Sequence, residues 1–395
     1  LALQTLFNFL GQYDEAREYL EKALAIKIEI GDQDREASCY LNLGTLFHSL
    51  GENFKAQEYI EKALAIRIEI GDRDGEASCY RKAGTLLHSL GQYDKARKYL
   101  EKALVITIEI GDRDGEASCY LALQTSFNFV GQYDKARECL EKALAIRIEI
   151  RDQDGEASCY VRLGTLFHRI GKNFEAQENL EKALAIKIEI GDRAGEGLCY
   201  GSLESLFKSL GQYDKARQYL EKALAIKIEI GHRDGEASYY RKLGTLLHSL
   251  AQYDKAREYQ EKALAISIEI GDQGGEASCY GNLGILYNSL GQYDKGREYL
   301  EKALAIRIEI GNRDGEASCY GNLGTLFASL GQYDKAQEFL KKALAIYIEI
   351  GDRDGEALCY VNLGNFFKSL GQNDKAREYL EKALAINIEV GSRDG

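Results

Sequence analysis

Apolar residues recur along this chain on two nested periods. Between residues 74 and 90, Ala77, Cys79, Tyr80, Ala83, Gly84, Leu86, Leu87 and Leu90 share one broad arc of a helical wheel. Between 92 and 110 a second set does the same: Ala96, Tyr99, Leu100, Ala103, Leu104, Ile106, Ile108 and Ile110. Each set predicts an amphipathic helix, A then B, that buries these residues. Asp74 is placed to cap helix A, with Glu76 in the first turn where the macrodipole favours negative charge, so the helix starts near Gly75. Gly91 stops it, helix B runs from about Gln92 to Ile110, and Gly111 closes the pair. The whole pattern returns every 40 residues from end to end. A fixed period of this length marks a stack of supersecondary units, each burying its apolar face against the next.

The ending ALVITIEI alternates with a period of two and alone could be a strand. Its continuity with the Ala-, Lys-, Arg-, Glu- and Leu-rich stretch before it favours one long helix. The chain has no Pro, so Gly does all the punctuation. The expected architecture is all-α, a single array over 1–395. Its units run approximately 1–35 (partial), 36–75, 76–115, 116–155, 156–195, 196–235, 236–275, 276–315, 316–355 and 356–395. The first residue is Leu1, no Met occurs, and LALQT at Leu1 matches LALQT at Leu121, so the chain reads as a fragment of a longer array.

Tyr80, Gly84 after Ala83 (Leu43-Gly44 in the preceding copy), Leu87, Ala96, Leu100 and Ala103 have the spacing of large and small packing residues in the tetratricopeptide repeat family, which this chain resembles throughout. It departs from that family in its 40-residue period, against about 34, and in lacking Pro near the end of helix B. The 40-residue form with NLG and a GD-x-x-GEA linker is similar to the Pins/LGN group of G-protein-signalling modulators and to the long arrays of tetratricopeptide repeat protein 28-like proteins. The resemblance implies a right-handed superhelical solenoid of helix-turn-helix units whose A helices line a concave groove. It also implies that groove asparagines of NLG(N) motifs and groove arginines hold an extended partner. Asn42, Asn282, Asn322, Asn362 and Asn365 match that motif.

The wheel leaves Ser78, Arg81, Lys82, Thr85, His88 and Ser89 facing the groove. Internal comparison shows variation concentrated there: the slot of Lys82 reads Asn42, Lys82, Ala122, Arg162, Ser202, Lys242, Asn282, Asn322, Asn362. The slot of His88 gives Lys208 in one copy, and Arg169 follows His168 in another. Arg81, Lys82, Arg162, Arg169, Arg241 and Lys242 suit carboxylates or phosphates through charge-assisted hydrogen bonds. The asparagines can both donate to and accept from a peptide backbone. Against selection for a ligand stands duplication: the block at Gly44 recurs at Gly164, shifted like LALQT by 120 residues. Gln4, Gln124 and Glu204 replace the packing Gly, and helices A and B are expected to spread there. The slot of Thr107, with Lys27, Arg67, Arg147, Lys187, Lys227 and Arg307, forms a broken basic stripe, read as cations answering the dipole of the last helical turn.

Charge and chemistry narrow the function. The net charge of −12, from 51 Lys+Arg and 63 Asp+Glu, argues against a general nucleic-acid or anionic-membrane surface. No apolar run reaches the ~20 residues of a membrane helix. Eight of nine cysteines share one slot (Cys39, Cys79, Cys119, Cys159, Cys199, Cys279, Cys319, Cys359), and the ninth, Cys139, replaces a Tyr. Stacked repeats would hold them about 8–10 Å apart, too far for disulfides; they read as buried thiols of a reducing, cytoplasmic compartment. The same spacing keeps His48, His88, His168 and His248 from sharing a metal. GDRDG lacks the Lys-Ser/Thr of a phosphate loop, and no catalytic set converges, so neither enzyme activity nor a cofactor is expected. The expected function is a protein-interaction scaffold that binds extended or helical segments, acidic ones in the central groove. The alternative is a structural spacer, or an array self-associating through exposed end repeats.

Overall fold

The computed structural model describes residues 13–393, with side chains placed to residue 389. The partial first unit up to residue 12, including Gln4 and the LALQT segment, lies outside the described residues. Nineteen helices follow one another, with no strand among the described residues. Two compact units divide the chain, residues 1–190 and 191–395.

The first unit holds α1 (Tyr13–Glu29), α2 (Gln33–Ser49), α3 (Asn53–Glu69), α4 (Arg73–Ser89), α5 (Tyr93–Ile110), α6 (Arg113–Phe129), α7 (Tyr133–Glu149), α8 (Gln153–Arg169) and α9 (Asn173–Glu189). The second holds α10 (Arg193–Ser209), α11 (Tyr213–Glu229), α12 (Arg233–Ser249), α13 (Tyr253–Glu269), α14 (Gln273–Ser289), α15 (Tyr293–Glu309), α16 (Arg313–Ser329), α17 (Tyr333–Ile350), α18 (Arg353–Ser369) and α19 (Asn373–Arg393). Even-numbered helices are A and odd-numbered ones B. Within each unit every A helix packs on the B helix that follows it, and each B helix on the next A helix. The result is an all-α solenoid of stacked helix-turn-helix repeats.

The packing glycine sets the hairpin. A Cβ built on Gly84 would stand 2.7 Å from Leu100 Cγ and 3.2 Å from the Ala96 carbonyl oxygen. Without it α4 and α5 touch directly, and Leu86, Leu100, Ala96 and Ala103 close the core. The interhelix turn uses a left-handed glycine, Gly91 at φ +71°, that satisfies terminal carbonyls: its N–H donates to His88 at 3.0 Å, and Gln92 N–H to Leu87 at 2.9 Å.

Two expectations need correction. The cap of helix A is Asp72, not Asp74: its carboxylate accepts from Gly75 N–H at 3.0 Å and the helix starts at Arg73. Ile108 and Ile110 are not buried but 51% and 40% exposed. Only Ile106 of the alternating triplet faces inward; α5 continues helically to Ile110, which disposes of the strand reading.

Candidate functional site

Neighbouring A helices come within 8 Å Cα–Cα at α2/α4, α4/α6, α12/α14, α14/α16 and α16/α18, whereas no two B helices approach this closely among the described residues. The A helices therefore crowd together on one side of each unit, and the variable slots lie there. Two pairs within a unit break the pattern, α6/α8 and α10/α12. Each begins with a helix in which the packing glycine is replaced, by Gln124 on α6 and Glu204 on α10, both buried. The separation is thus between successive A helices, whereas the expected spreading is of A from B, and the hairpins α6/α7 and α10/α11 remain packed.

Side-chain partners sort the sequence candidates. In most copies the slot of Thr107 carries a cation that is not a surface stripe. Arg67 is buried, pairs with Asp34 and Asp72, and donates to Ser38 at 2.6 Å. Arg147 likewise pairs with Asp114, donates to Asp152 at 2.8 Å and to Ser118 at 3.2 Å. Its guanidinium ties one linker aspartate to the next, which corrects the helix-dipole reading. Where this slot shrinks to a buried hydroxyl, Thr107 or Ser267, the A helix of the same repeat supplies an arginine instead, Arg81 or Arg241. Arg241 Nη1 is buried 3.8 Å from Asp272, and the Arg241 charge opposes the upward shift that burial gives the Cys279 thiol. The Arg81 charge acts in the same way on Cys119. Arg241 is therefore turned into the repeat junction, and Arg81 holds the equivalent slot half-buried.

The intruding Gln124 and Glu204 have partners too. Arg162 Nη1 donates to Gln124 Oε1 at 3.3 Å, and Lys242 Nζ lies 3.6 Å from Glu204 Oε2. Asn282 donates to Oε1 of buried Gln260 at 3.3 Å, and Gln260 Nε2 donates to the Arg241 carbonyl at 3.0 Å. Tyr239, where other copies carry Cys, places its hydroxyl 3.3 Å from the Gly197 carbonyl and over Gly201, where a Cβ would come within 2.8 Å. Five of the candidates thus answer changes inside the chain.

The remaining candidates, Asn42, Lys82, Arg169, Lys208, Asn322, Asn362 and Asn365, have no side-chain partner among the described residues. Lys82, Arg169, Lys208 and Asn365 are exposed, and Asn42, Asn322 and Asn362 half-buried. The separation of α6 from α8 opens a cleft of about 190 Å³ lined by Gln124, Thr125, Asn128, Arg162, Thr165 and Arg169. Asn128 Oδ1 is buried there with no hydrogen-bond partner. In the second unit, Cβ atoms built on Gly281 and Gly321, beside Asn282 and Asn322, would meet nothing within 4 Å. Thr125, Asn128 and Thr165 belong to the Thr85 and His88 slots that the wheel turns to the groove, but sequence comparison did not single them out, because a wheel gives a face but not the distance between two helices.

Other chemistry is dispersed. His48 and His168 each face an asparagine, Asn53 at 3.3 Å and Asn173 at 3.2 Å, and His248 meets Ser289 at 2.9 Å. His88 packs edge-on against Tyr93 and Phe129, and burial lowers its imidazole pKa. Among the described residues no group of His, Cys, Asp or Glu is arranged to hold a metal. All nine cysteines are free thiols, eight of them buried. Burial pushes Cys79 and Cys359 up to about 12, which removes thiolate at neutral pH. No helix among the described residues is long and apolar enough to cross a membrane.

The tetratricopeptide repeat model matches residues 5–69, 48–109, 75–149, 125–189, 204–269 and 275–349, and a second model of the same description matches 357–387. The chain belongs to the tetratricopeptide repeat family. No curated protein matches it. Among solved structures it is similar to aspartyl phosphate phosphatase F from Bacillus subtilis, at 16% identity over 93% of this chain and 95% of that one, with a TM-score of 0.59. It is also similar to a Rap protein complexed with competence and sporulation factor, at 15% identity over 91% and 99%, TM-score 0.54. A third is the STAND signal transduction ATPase with a tetratricopeptide repeat sensor from Pyrococcus horikoshii, at 18% identity over 88% of this chain and 52% of that one, TM-score 0.57. At these identities the likeness concerns the fold. Membership of the tetratricopeptide repeat family supports a protein-interaction scaffold in general terms.

Proposed function

We propose that this tetratricopeptide array works by binding, not catalysis, and holds extended segments of other proteins on its A-helix face. The observation that carries this reading is the cleft between α6 and α8. Two guanidiniums two turns apart on α8, Arg162 and Arg169, share it with two threonine hydroxyls and the unpartnered Asn128 carbonyl. The guanidinium N–H groups suit an acidic side chain, with Asn128 left to accept from a peptide N–H; both threonine hydroxyls donate to carbonyls of their own helices, Leu121 and Val161. In the second unit Asn322 and Asn362 are amides uncommitted to the chain, beside open space at Gly321. Their role is to hold peptide backbone. The Rap protein complexed with competence and sporulation factor lends the support of a similar fold with a bound partner. Arg81 and Arg241, tied into repeat junctions, are not contacts in this reading, and Lys82 and Lys208 extend the basic character of the face.

Panning a proteome-wide library of displayed peptides on the full chain, with Arg162→Glu/Arg169→Glu as counter-selection, tests this. Enrichment of a shared acidic motif, lost on the variant, is the expected result. Enrichment that survives both reversals would move the site away from the cleft. No enrichment on folded, monodisperse protein would leave the array as a spacer.

A further inference from the structure

Ala83 stands in a slot that every other described copy fills with Leu: Leu43, Leu123, Leu163, Leu203, Leu243, Leu283, Leu323 and Leu363. Each of those leucines is buried, at 4% exposure or less, whereas Ala83 is only half-buried. It opens instead onto a cavity of about 320 Å³ between the B helices α3 and α5, floored by α4. Ile60, Leu64, Leu86, Leu87 and Tyr99 supply its apolar walls, and the exposed Glu61 and Lys95 lie at its lining with opposite charge.

The chain contains its own control. Residues 81–90 read RKAGTLLHSL and residues 241–250 read RKLGTLLHSL, so α4 and α12 differ over this stretch at one position. The B helices that follow keep Gln92, Lys95 and Tyr99 as Gln252, Lys255 and Tyr259. In α12, Leu243 is wholly buried. The space beside Ala83 is therefore shaped for a branched aliphatic or single-ring group, which elsewhere the chain supplies itself.

We propose that this cavity is a binding site for a small, uncharged apolar molecule. Its volume lies at the lower end of the ~300–1,000 Å³ of small-molecule sites, and aliphatic side chains with the Tyr99 ring make its walls, while Gln57, Glu61, Gln92 and Lys95 supply the polar part of its lining. An apolar cavity of roughly half that size, left by an absent side chain, stays dry and takes up benzene. The opposite charges of Glu61 and Lys95 give no preference for an ionic ligand. The site lies between B helices and is independent of the A-helix face.

Fluorobenzene, followed by ¹⁹F NMR against the full chain, is a suitable probe. Saturable binding of one equivalent, displaced by toluene, is expected for the unmodified chain. Ala83→Leu puts a branched side chain into the space that Ala83 leaves open and should weaken binding at least tenfold. Leu243→Ala should add a second equivalent, a gain that loss of folding cannot mimic. Absence of saturable binding to the unmodified chain overturns the proposal, as does unchanged affinity in Ala83→Leu. A single equivalent bound by folded Leu243→Ala overturns the assignment of the ligand to the space a leucine leaves.

Discussion

Arg241 shows how a residue chosen for the groove can belong to the interior. Its repeat lacks the buried cation of helix B, and Asp272 would otherwise cap α14 with no charge beside it. Arg241→Gly, which copies Gly281, should destabilise the chain by about 1–3 kcal/mol, the usual cost of stranding a hydrogen-bonded charge. Ser267→Arg alone would bring two guanidiniums to one site and also destabilise. Together they recreate the pairing of Gly281 with Arg307, whose guanidinium donates to Ser278 at 2.5 Å. The double variant is expected to recover most of the loss, with a coupling of about 1 kcal/mol or more in a urea double-mutant cycle. Additive losses would mean that the two positions do not share a role. Internal comparison of the repeats found the variable slots but not their coupling. Arg162 with Gln124 and Lys242 with Glu204 are joined across successive A helices. A wheel drawn for one helix cannot show what an arginine reaches on another.

At the scale of the element, the hairpins were readable because glycine marks nearly every turn. The described turns place glycine at φ between +67° and +76°, and two do not: Arg151 at +58° and Ala251 at +57°. The left-handed region brings Cβ against the following carbonyl and costs roughly 1–2 kcal/mol in a residue that has one. Ala251→Gly restores the turn that Gly91 makes before the same QYDKAR sequence. It should raise stability by about 1 kcal/mol, read as a higher urea midpoint with an unchanged m-value; a lower midpoint would show that the φ at 251 carries no strain. The cap was harder to read, because GDRDG offers two aspartates at compatible spacing. Asp72 takes the role because Gly75 lacks a side chain: a Cβ there would come within 2.3 Å of the Asp72 carboxylate and 2.4 Å of Arg67 Cδ. The last turn of helix B was misjudged for a related reason. Ile108 is apolar and periodic, yet no neighbouring B helix comes close enough to cover it.

For the whole chain the decisive property is locality. Within each unit, each helix packs on its neighbours in sequence, and some A helices also on the next A helix, but no contact joins distant repeats among the described residues. Stability in such an array is close to a sum of repeat and interface terms, so damage stays where it is made. Leu243→Ala removes a wholly buried leucine from α12, a change that costs about 2–5 kcal/mol in a packed core. Amide hydrogen exchange should quicken in α11 to α14, the helices packed on α12, while α1 to α5 keep the protection they have in the unmodified chain. A uniform loss of protection from α1 to α19 would mean that the repeats unfold as one body, which contacts of this range do not provide for. The same locality bears on function. The cleft between α6 and α8 owes its shape to Gln124, Arg162 and their immediate neighbours, so Leu243→Ala should leave the enrichment of acidic peptides unchanged. An array built this way can alter one stretch of its binding face without disturbing the rest, provided that each new side chain finds its partner in an adjoining repeat.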